Sequence, residues 1–468
     1  MAYGKGGLIM TGREITAEAA AFIENLSYER IPQDMAEKAK FFIMDLLGVT
    51  VGGSVEPAGR ILRELAPAPA GNGAASIIGS AQETTPDWGA LVNGTSGHAL
   101  DFDDVNEPMY GHPSVPVLPA ALAVAEAFSL GGKALIESYV IGIEFAVKLC
   151  HAMNPGHYEH GWHSTATMGS VGAAAAAAKL YGLRGEQLRS ALALGCTQAF
   201  GLQQNFGTMT KPFHAGKAAQ NGVMAAMLAN RGWTGDQTIF EAPMGYFHVF
   251  CGPGEWRADE FVERLGRPLV IDDTGIIIKK HASCAFSHPA VDAALEVAAN
   301  PKFDPSMVER IEGQILPLNN QILLHRRPKT GLEAKFSLEG CLAISLIDAK
   351  LNLKSFTDNS ILRPQVQAMI EKVERTVVES PGGKPQDFGP ATVRVFLSEG
   401  DVLEATVKDA KGTPQNPMTS GEIEGKYRDC CSGVLAEAKV EESIDLIRRL
   451  DTLETLNELM ACYVPTNE

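Results

Sequence analysis

The sequence contains no G-x-x-x-x-G-K-[ST] loop, no G-x-G-x-x-G turn after a strand and no G-x-S-x-G elbow, so nothing marks a nucleotide, flavin or pyridoxal phosphate site. Its eight cysteines (Cys150, Cys196, Cys251, Cys284, Cys341, Cys430, Cys431, Cys462) include one close pair, the adjacent Cys430 and Cys431. Adjacency suits neither a redox CxxC nor a zinc site, and no three cysteines are grouped as an iron–sulfur cluster requires. Positive charge is in deficit: 40 Lys and Arg face 56 Asp and Glu, a net charge of −16. Such a surface repels polyanions, which argues against nucleic acid as a partner. Long apolar runs are missing too. The stretches 115–130 and 165–180 are alanine-rich and carry Glu126 or Lys179, so they read as core helices and no membrane partner is expected. Residues 1–16 are glycine-rich without an apolar targeting segment, and a reduced cytoplasmic protein is the expectation.

What is present is ample core material. Of 468 residues, 45% are apolar and 21% charged, which excludes disorder as the main state. That length predicts two or three domains, burying about three quarters of the extended-chain surface. Apolar residues Met35, Ala36, Ala39, Phe42, Ile43, Leu46 and Leu47 recur on one helix face after Pro32. Thr85-Pro86 reads as a cap and first-turn proline of a helix running toward Phe102. Further helices are predicted over 119–130, 134–153, 168–180, 185–193 and 215–231, with the run Ala173–Ala178 allowing close helix approach. Near residue 270 the pattern changes. Strands are predicted at 308–316, 373–378, 392–397 and 402–407, the last two joined by a Glu399-Gly400-Asp401 hairpin turn, with helices at 289–299 and 339–350. Helices return after the Gly/Pro-rich loop 411–421. The fold class is mainly α with an α+β part: helical over 1–270, a smaller α+β lid over 271–410, and a helical return over 411–468.

Four clusters carry candidate chemistry. In His98-Ala-Leu-Asp101-Phe-Asp103-Asp104, His98 and Asp101 share a face if this end is helical. Three carboxylates within four residues repel, so at least one should meet a cation or have a raised pKa; a solvated acidic helix end is the plainer alternative. In His157-Tyr-Glu-His160-Gly-Trp-His163 the spacing allows metal ligation, but Gly161 and Asn154-Pro155-Gly156 argue for a loop, and no acidic or sulfur ligand completes a site. No metal is expected there. A loop histidine before a helix suits acid–base work, the alternative being that only His163 is inside. Lys211, in Thr210-Lys-Pro-Phe-His214, stands at a helix entry among apolar neighbours and suits an anion or acid role, or else is a surface lysine. Last comes Lys279-Lys280-His281-Ala-Ser-Cys284-Ala-Phe-Ser-His288, followed by Arg326-Arg327 and Lys335. Between Ile276 and Lys335 eight Lys/Arg outnumber six Asp/Glu, a local positive charge suited to carboxylates, or an ordinary basic patch.

Taken in order, Ile31-Pro-Gln-Asp…Asp45-Leu-Leu-Gly48, His98-Ala-Leu-Asp-Phe-Asp-Asp104, His112-Pro-Ser-Val-Pro, Gly161-Trp-His-Ser-Thr, Lys211-Pro-Phe-His-Ala-Gly216, Cys284-Ala-Phe-Ser-His288-Pro, Ala334-Lys-Phe-Ser337 and the tail Lys426-Tyr-Arg-Asp429 resemble the MmgE/PrpD family. The resemblance implies a large all-helical domain with a smaller α+β lid, a homodimer, and no metal or organic cofactor. It also implies a small anionic di- or tricarboxylate as substrate. Activities known in that family are dehydration of 2-methylcitrate, decarboxylation of cis-aconitate and epimerisation of iminodisuccinate. The decarboxylase branch's site residues match Asp101, His112, His163, Lys211 and Lys279 here. A threonine of that site falls at Val105 and a histidine at Cys284, departures that weigh against decarboxylation.

The expected mechanism is cofactor-independent proton transfer beside a carboxylate, in a cleft between helical domain and lid. Asp101, His112, His163, Lys211 and Cys284 are its expected catalytic residues, and Lys279, His288, Arg326 and Lys335 its substrate-binding ones. His163 would move the α-proton, with His112 as acid–base partner and Asp101 orienting an imidazole or fixing a lysine. A hydro-lyase is the first expectation, then an epimerase or isomerase, then a decarboxylase. A catalytically silent carboxylate-binding protein is the alternative outside enzymes. Cys284 as a packed thiol is the plainer reading of that residue.

Overall fold

The computed structural model describes residues 12–69, 74–252, 256–379 and 388–465. Most of the segment 1–16, where the sequence predicts no targeting signal, lies outside them. The chain forms two compact units: one from the described residues of Met1–Ala99, Asp103–Ile276 and Ser420–Glu468, the other from Leu100–Phe102 and Ile277–Thr419.

The first unit is a helical assembly. Its principal helices are α1 (Gln33–Gly53), α2 (Pro86–Ala99), α3 (Ser114–Ala127), α4 (Gly132–Met153), α5 (Ser164–Leu180) and α6 (Thr210–Asn230). The chain's return adds α9 (Ser420–Cys431), numbered after the two helices of the second unit. α3 starts five residues earlier than the spacing predicts, at Ser114, and carries Pro119 inside it. α2 stops at Ala99, three residues short of the predicted end, because Asp101 adopts a left-handed φ of 49° that a helix cannot continue. The Thr85 hydroxyl, just before it, donates to Asp87 Oδ1 at 2.7 Å.

These helices touch through their smallest residues. Ala173–Ala178 are all fully buried. A Cβ added to Gly216 on α6 would lie 2.2 Å from Leu91 O and 2.2 Å from Thr95 Oγ1 on α2, so the two helices meet at backbone contact. Gly94 faces that same crossing, its added Cβ 2.8 Å from Gly216 Cα. Gly222 of α6 meets Ala173 of α5 in the same manner. The distant segments Asp45–Gly48 and Lys426-Tyr427 also converge: Lys426 Nζ lies 2.7 Å from Asp45 Oδ1, both buried, and the Tyr427 ring fills the space that a side chain at Gly48 would need. No single helix among the described residues is long and apolar enough to cross a membrane; α1 with Pro57–Leu65 passes that test only as a pair bent by 83°, and α1 is mostly buried.

The second unit is α+β. Strands β1 (Val308–Ile315), β2 (Val373–Val377), β3 (Ala391–Leu397) and β4 (Val402–Val407) form one sheet in the order β2-β1-β3-β4. β1 and β2 are parallel, β1 and β3 antiparallel, and β3–β4 is the predicted hairpin. Alternate residues of β3 are buried, as period-two patterning with one covered face requires. Helices α7 (His288–Ala298) and α8 (Leu338–Asp348) cover the sheet.

Candidate active site

Four segments of the helical unit bring their polar side chains together. His98 lies in the last turn of α2, Asp103 follows the break after it, His112 precedes α3, and His163 stands immediately before α5. Lys211 and His214 lie in the first turn and a half of α6. Along α2, Gly94 of the close crossing is one helical turn, roughly 6 Å, from His98; along α6, Gly216 is closer still to His214. Main-chain packing thus sets the separation of these rings.

Asp103 is the hub. Its side chain is fully buried, and His98 Nδ1 lies 2.9 Å from both its oxygens. His112 Nδ1 lies 2.9 Å from Oδ2. Burial alone would push the Asp103 carboxyl up, but the two imidazoles outweigh it and hold it well below the usual carboxylate range. His112 is fixed from the far side, its backbone N–H donating to Thr165 Oγ1 of α5 at 3.0 Å. The His98 ring sits edge-on to His112 at 4.3 Å and faces His163 at 6.1 Å. His163 packs against Phe206 at 4.8 Å, and Lys211 Nζ lies over the same ring at 5.5 Å. His163 Nδ1 and His214 Nδ1 are 3.1 Å apart. Gly201, at φ 104°, brings its backbone beside this pair where a Cβ would collide with Ala166. Burial, with Lys211 and His214 close by, keeps the His163 ring well below its ordinary pKa; His214 is brought down to about 4, chiefly by burial.

The neighbouring acid behaves oppositely. Asp104 is buried beside Ser114, whose backbone N–H donates to Oδ1 at 3.3 Å and whose hydroxyl touches Oδ2. Burial pushes its carboxyl up to about 8, helped by the charges of Asp45 and Asp103. The crowded triplet is therefore resolved in three ways: Asp103 by two imidazoles, Asp104 by a raised pKa, and Asp101 by a lysine of the second unit, to which Asp101 itself belongs.

That second unit contains the remaining predicted residues. Lys279 Nζ donates to the Asp101 backbone carbonyl at 2.8 Å and lies 3.4 Å from Asp101 Oδ1. Asp101 is off the helix, which ends at Ala99. Lys335 is buried and donates to Leu100 O. Cys284 is buried, its backbone N–H donating to Lys335 O at 2.9 Å. His288 is buried 3.2 Å from Ser283 O, and burial, with His281 and Lys279 nearby, holds its ring well below the ordinary pKa. Arg326 is exposed and 3.8 Å from Glu339, whose carboxylate already receives a buried, two-pronged pairing from Arg375.

Two expectations change around residue 160. Gly156–Glu159 is a short helix rather than loop, and His157 is buried, bonded to Thr167 Oγ1 at 2.8 Å, because the aromatic neighbours Trp162 and Phe250 enclose it. Only His160 of the three histidines is exposed. Sequence reasoning misses His214, although it stands three residues after Lys211, a helical spacing that places both on one face. Asp103 stands out from the sequence only as one of three acids; its distance of five residues from His98 gives no helical signal.

The donor atoms of His98, Asp103 and His112 lie within 4.8 Å of one another, a grouping with the chemistry to take a cation. In the arrangement observed, each Nδ1 faces a carboxylate oxygen directly, as a protonated ring nitrogen does. The set can therefore hold and move protons: carboxylate-backed imidazoles, a neutral imidazole pair and an ammonium group.

The chain is 28% identical to the cis-aconitate decarboxylase of Homo sapiens over 460 residues, covering 96% of this chain and 94% of that one. It is 27% identical to the cis-aconitate decarboxylase of Aspergillus terreus over 473 residues, 96% of each chain, and 26% identical to that of Mus musculus over 459 residues, 96% and 93%. Residues 17–259 match the MmgE/PrpD N-terminal domain and residues 281–452 the MmgE/PrpD C-terminal domain, so the chain belongs to the MmgE/PrpD family.

Proposed function

We propose that this lyase or isomerase of the MmgE/PrpD family moves a proton at carbon next to a carboxylate of a small di- or tricarboxylate, and that its net reaction is loss of water. The observation that carries the reading is the convergence of His163, His98, His112 and Lys211 within one unit, with Asp103 between two of the rings. A neutral buried imidazole is a base that has already lost its hydration, and His163 is one. Its ring nitrogen takes the α-proton. The Lys211 ammonium pairs with the substrate carboxylate as negative charge builds there, the group of interactions that contributes most to lowering such barriers. His112 delivers a proton to the departing hydroxyl, which leaves as water, and the Asp103 carboxylate compensates the imidazolium form.

Decarboxylation is the second reading, favoured by the printed names of the relatives at 26–28% identity. Val105 and Cys284, in place of the threonine and histidine of that branch, weigh against it. The test is a panel of small hydroxylated and unsaturated polycarboxylates in deuterated water, followed by NMR. Alkene formation with loss of the α-proton to solvent, and no deuterium placed on the carbon that gave it up, supports dehydration. Released carbon dioxide replaces it with decarboxylation, and exchange without net conversion with epimerisation. Binding with neither conversion nor exchange refutes the proton-transfer reading. Near-parental turnover in both His163→Ala and Lys211→Ala refutes the site.

A further inference from the structure

The contact between His163 and His214 joins two like nitrogens. A hydrogen bond between Nδ1 and Nδ1 at 3.1 Å needs one proton on the line between them, not two and not none. Both rings are kept neutral by burial, so each carries a single ring proton. The two conditions together leave two arrangements. Either His163 donates from Nδ1, leaving its Nε2 bare, while His214 carries its proton on Nε2; or His214 donates, and His163 bears its proton on Nε2. The bare form is a base and the other an acid, at the same net charge.

We propose that His214 is a positioning residue that selects which nitrogen of His163 carries the proton, making the pair a relay that resets His163 between base and acid. The proposal rests on His163 being the proton-transfer residue of the function proposed above. The proton count closes. With His163 donating from Nδ1, the α-proton adds to Nε2; the Nδ1 proton then passes to His214 Nδ1, and His214 releases its Nε2 proton to solvent. His163 is left neutral with Nε2–H, ready to give a proton back. The groups facing His163 are compatible with this course. Lys211, His98, His112 and His214 itself are cations or potential cations that disfavour a lasting imidazolium at His163, and the Phe206 ring packs edge-on against it at 4.8 Å. A Cβ at Gly201 would meet the pair only at ordinary contact, 3.5 Å from His214 Nδ1 and 3.6 Å from the His163 Cβ.

The test reads the resting protein first. In protein labelled with 15N-histidine, a scalar coupling across the hydrogen bond between the two Nδ1 atoms is expected; absence of coupling, with both rings assigned, overturns the proposal without any variant. His214→Phe removes the partner nitrogen and His214→Asn returns a short polar group near the same place. Expected are a changed Nδ1/Nε2 protonation ratio at His163 in His214→Phe, a fall in kcat of about tenfold or more with little change in KM, and partial recovery in His214→Asn. An unchanged ratio at His163, or equal turnover in the two variants, overturns the relay. The coupling requires no substrate, so a failed polycarboxylate panel with the coupling present discredits the functional reading and leaves the tautomer pairing standing.

Discussion

Asp104 lends itself to a perturbation whose size and sign follow from its surroundings. Its carboxyl titrates at about 8 in the folded chain because burial and the charges of Asp45 and Asp103 oppose ionisation. Unfolded, the same group titrates at about 3.9. A raised folded value means that the folded state holds the proton more tightly. The stabilisation is complete below about pH 4 and is lost progressively as pH climbs toward 8, at up to about 1.4 kcal/mol per pH unit. An asparagine in this place reproduces the protonated acid: its oxygen accepts from the Ser114 backbone N–H, as Oδ1 does, and its amide donates to the Ser114 hydroxyl. Asp104→Asn should therefore fold normally, and its stability relative to the parent should rise by about 1–3 kcal/mol between pH 5 and pH 7, the span over which the parent alone loses its proton-linked stabilisation. Urea unfolding at four pH values from 5 to 8 measures the difference. Parallel curves for parent and variant, or an advantage that shrinks as pH rises, would show that the carboxylate is wanted ionised and would refute the reasoning.

Three further outcomes are expected. Asp103→Asn replaces an acceptor shared by two ring nitrogens with a group that accepts on one side only; losing one charge-assisted bond, about 1.5–3 kcal/mol, predicts turnover lower by roughly 10–100-fold, read on whichever polycarboxylate the panel identifies. Gly216→Ala forces a methyl against the α2 backbone and should destabilise by about 1–3 kcal/mol in thermal unfolding; an unchanged melting temperature would contradict the close crossing. Glu339→Ala leaves the Arg375 guanidinium buried without its carboxylate and should cost about 3–5 kcal/mol in denaturant unfolding, whereas Arg326→Ala, on the exposed side of the same acid, should cost less than about 1 kcal/mol.

The helices were legible because their signals are local. Periodic apolar residues marked α1, and proline, glycine and alanine composition marked α2 to α6 to within a few residues. The β3–β4 hairpin was equally plain from alternating residues around a Gly turn. Misplaced ends have local causes of another kind: α2 stops where Asp101 turns left-handed, and α3 begins before its prolines, with Pro116 in the first turn, where the N–H that proline lacks has no partner in the helix, and Pro119 inside it. The histidines and Lys211 were readable as chemistry-bearing types, but their partners were not. That Asp103 stands between imidazoles depends on the end of the helix at Ala99 and on Thr165 holding His112 from another helix. That Asp104 is neutral depends on Asp45, nearly sixty positions upstream, and on burial that no local pattern reveals.

The crossing at Gly94 and Gly216 has a consequence for anyone modifying this protein. Geometry at the reactive rings is dictated there by what is missing, two hydrogen atoms standing where other residues put carbon. A library that leaves every imidazole untouched would still be expected to lose function at these silent-looking positions. Gentle spacer changes at that same junction offer a handle for tuning reactivity from beneath, without touching any group that meets the substrate.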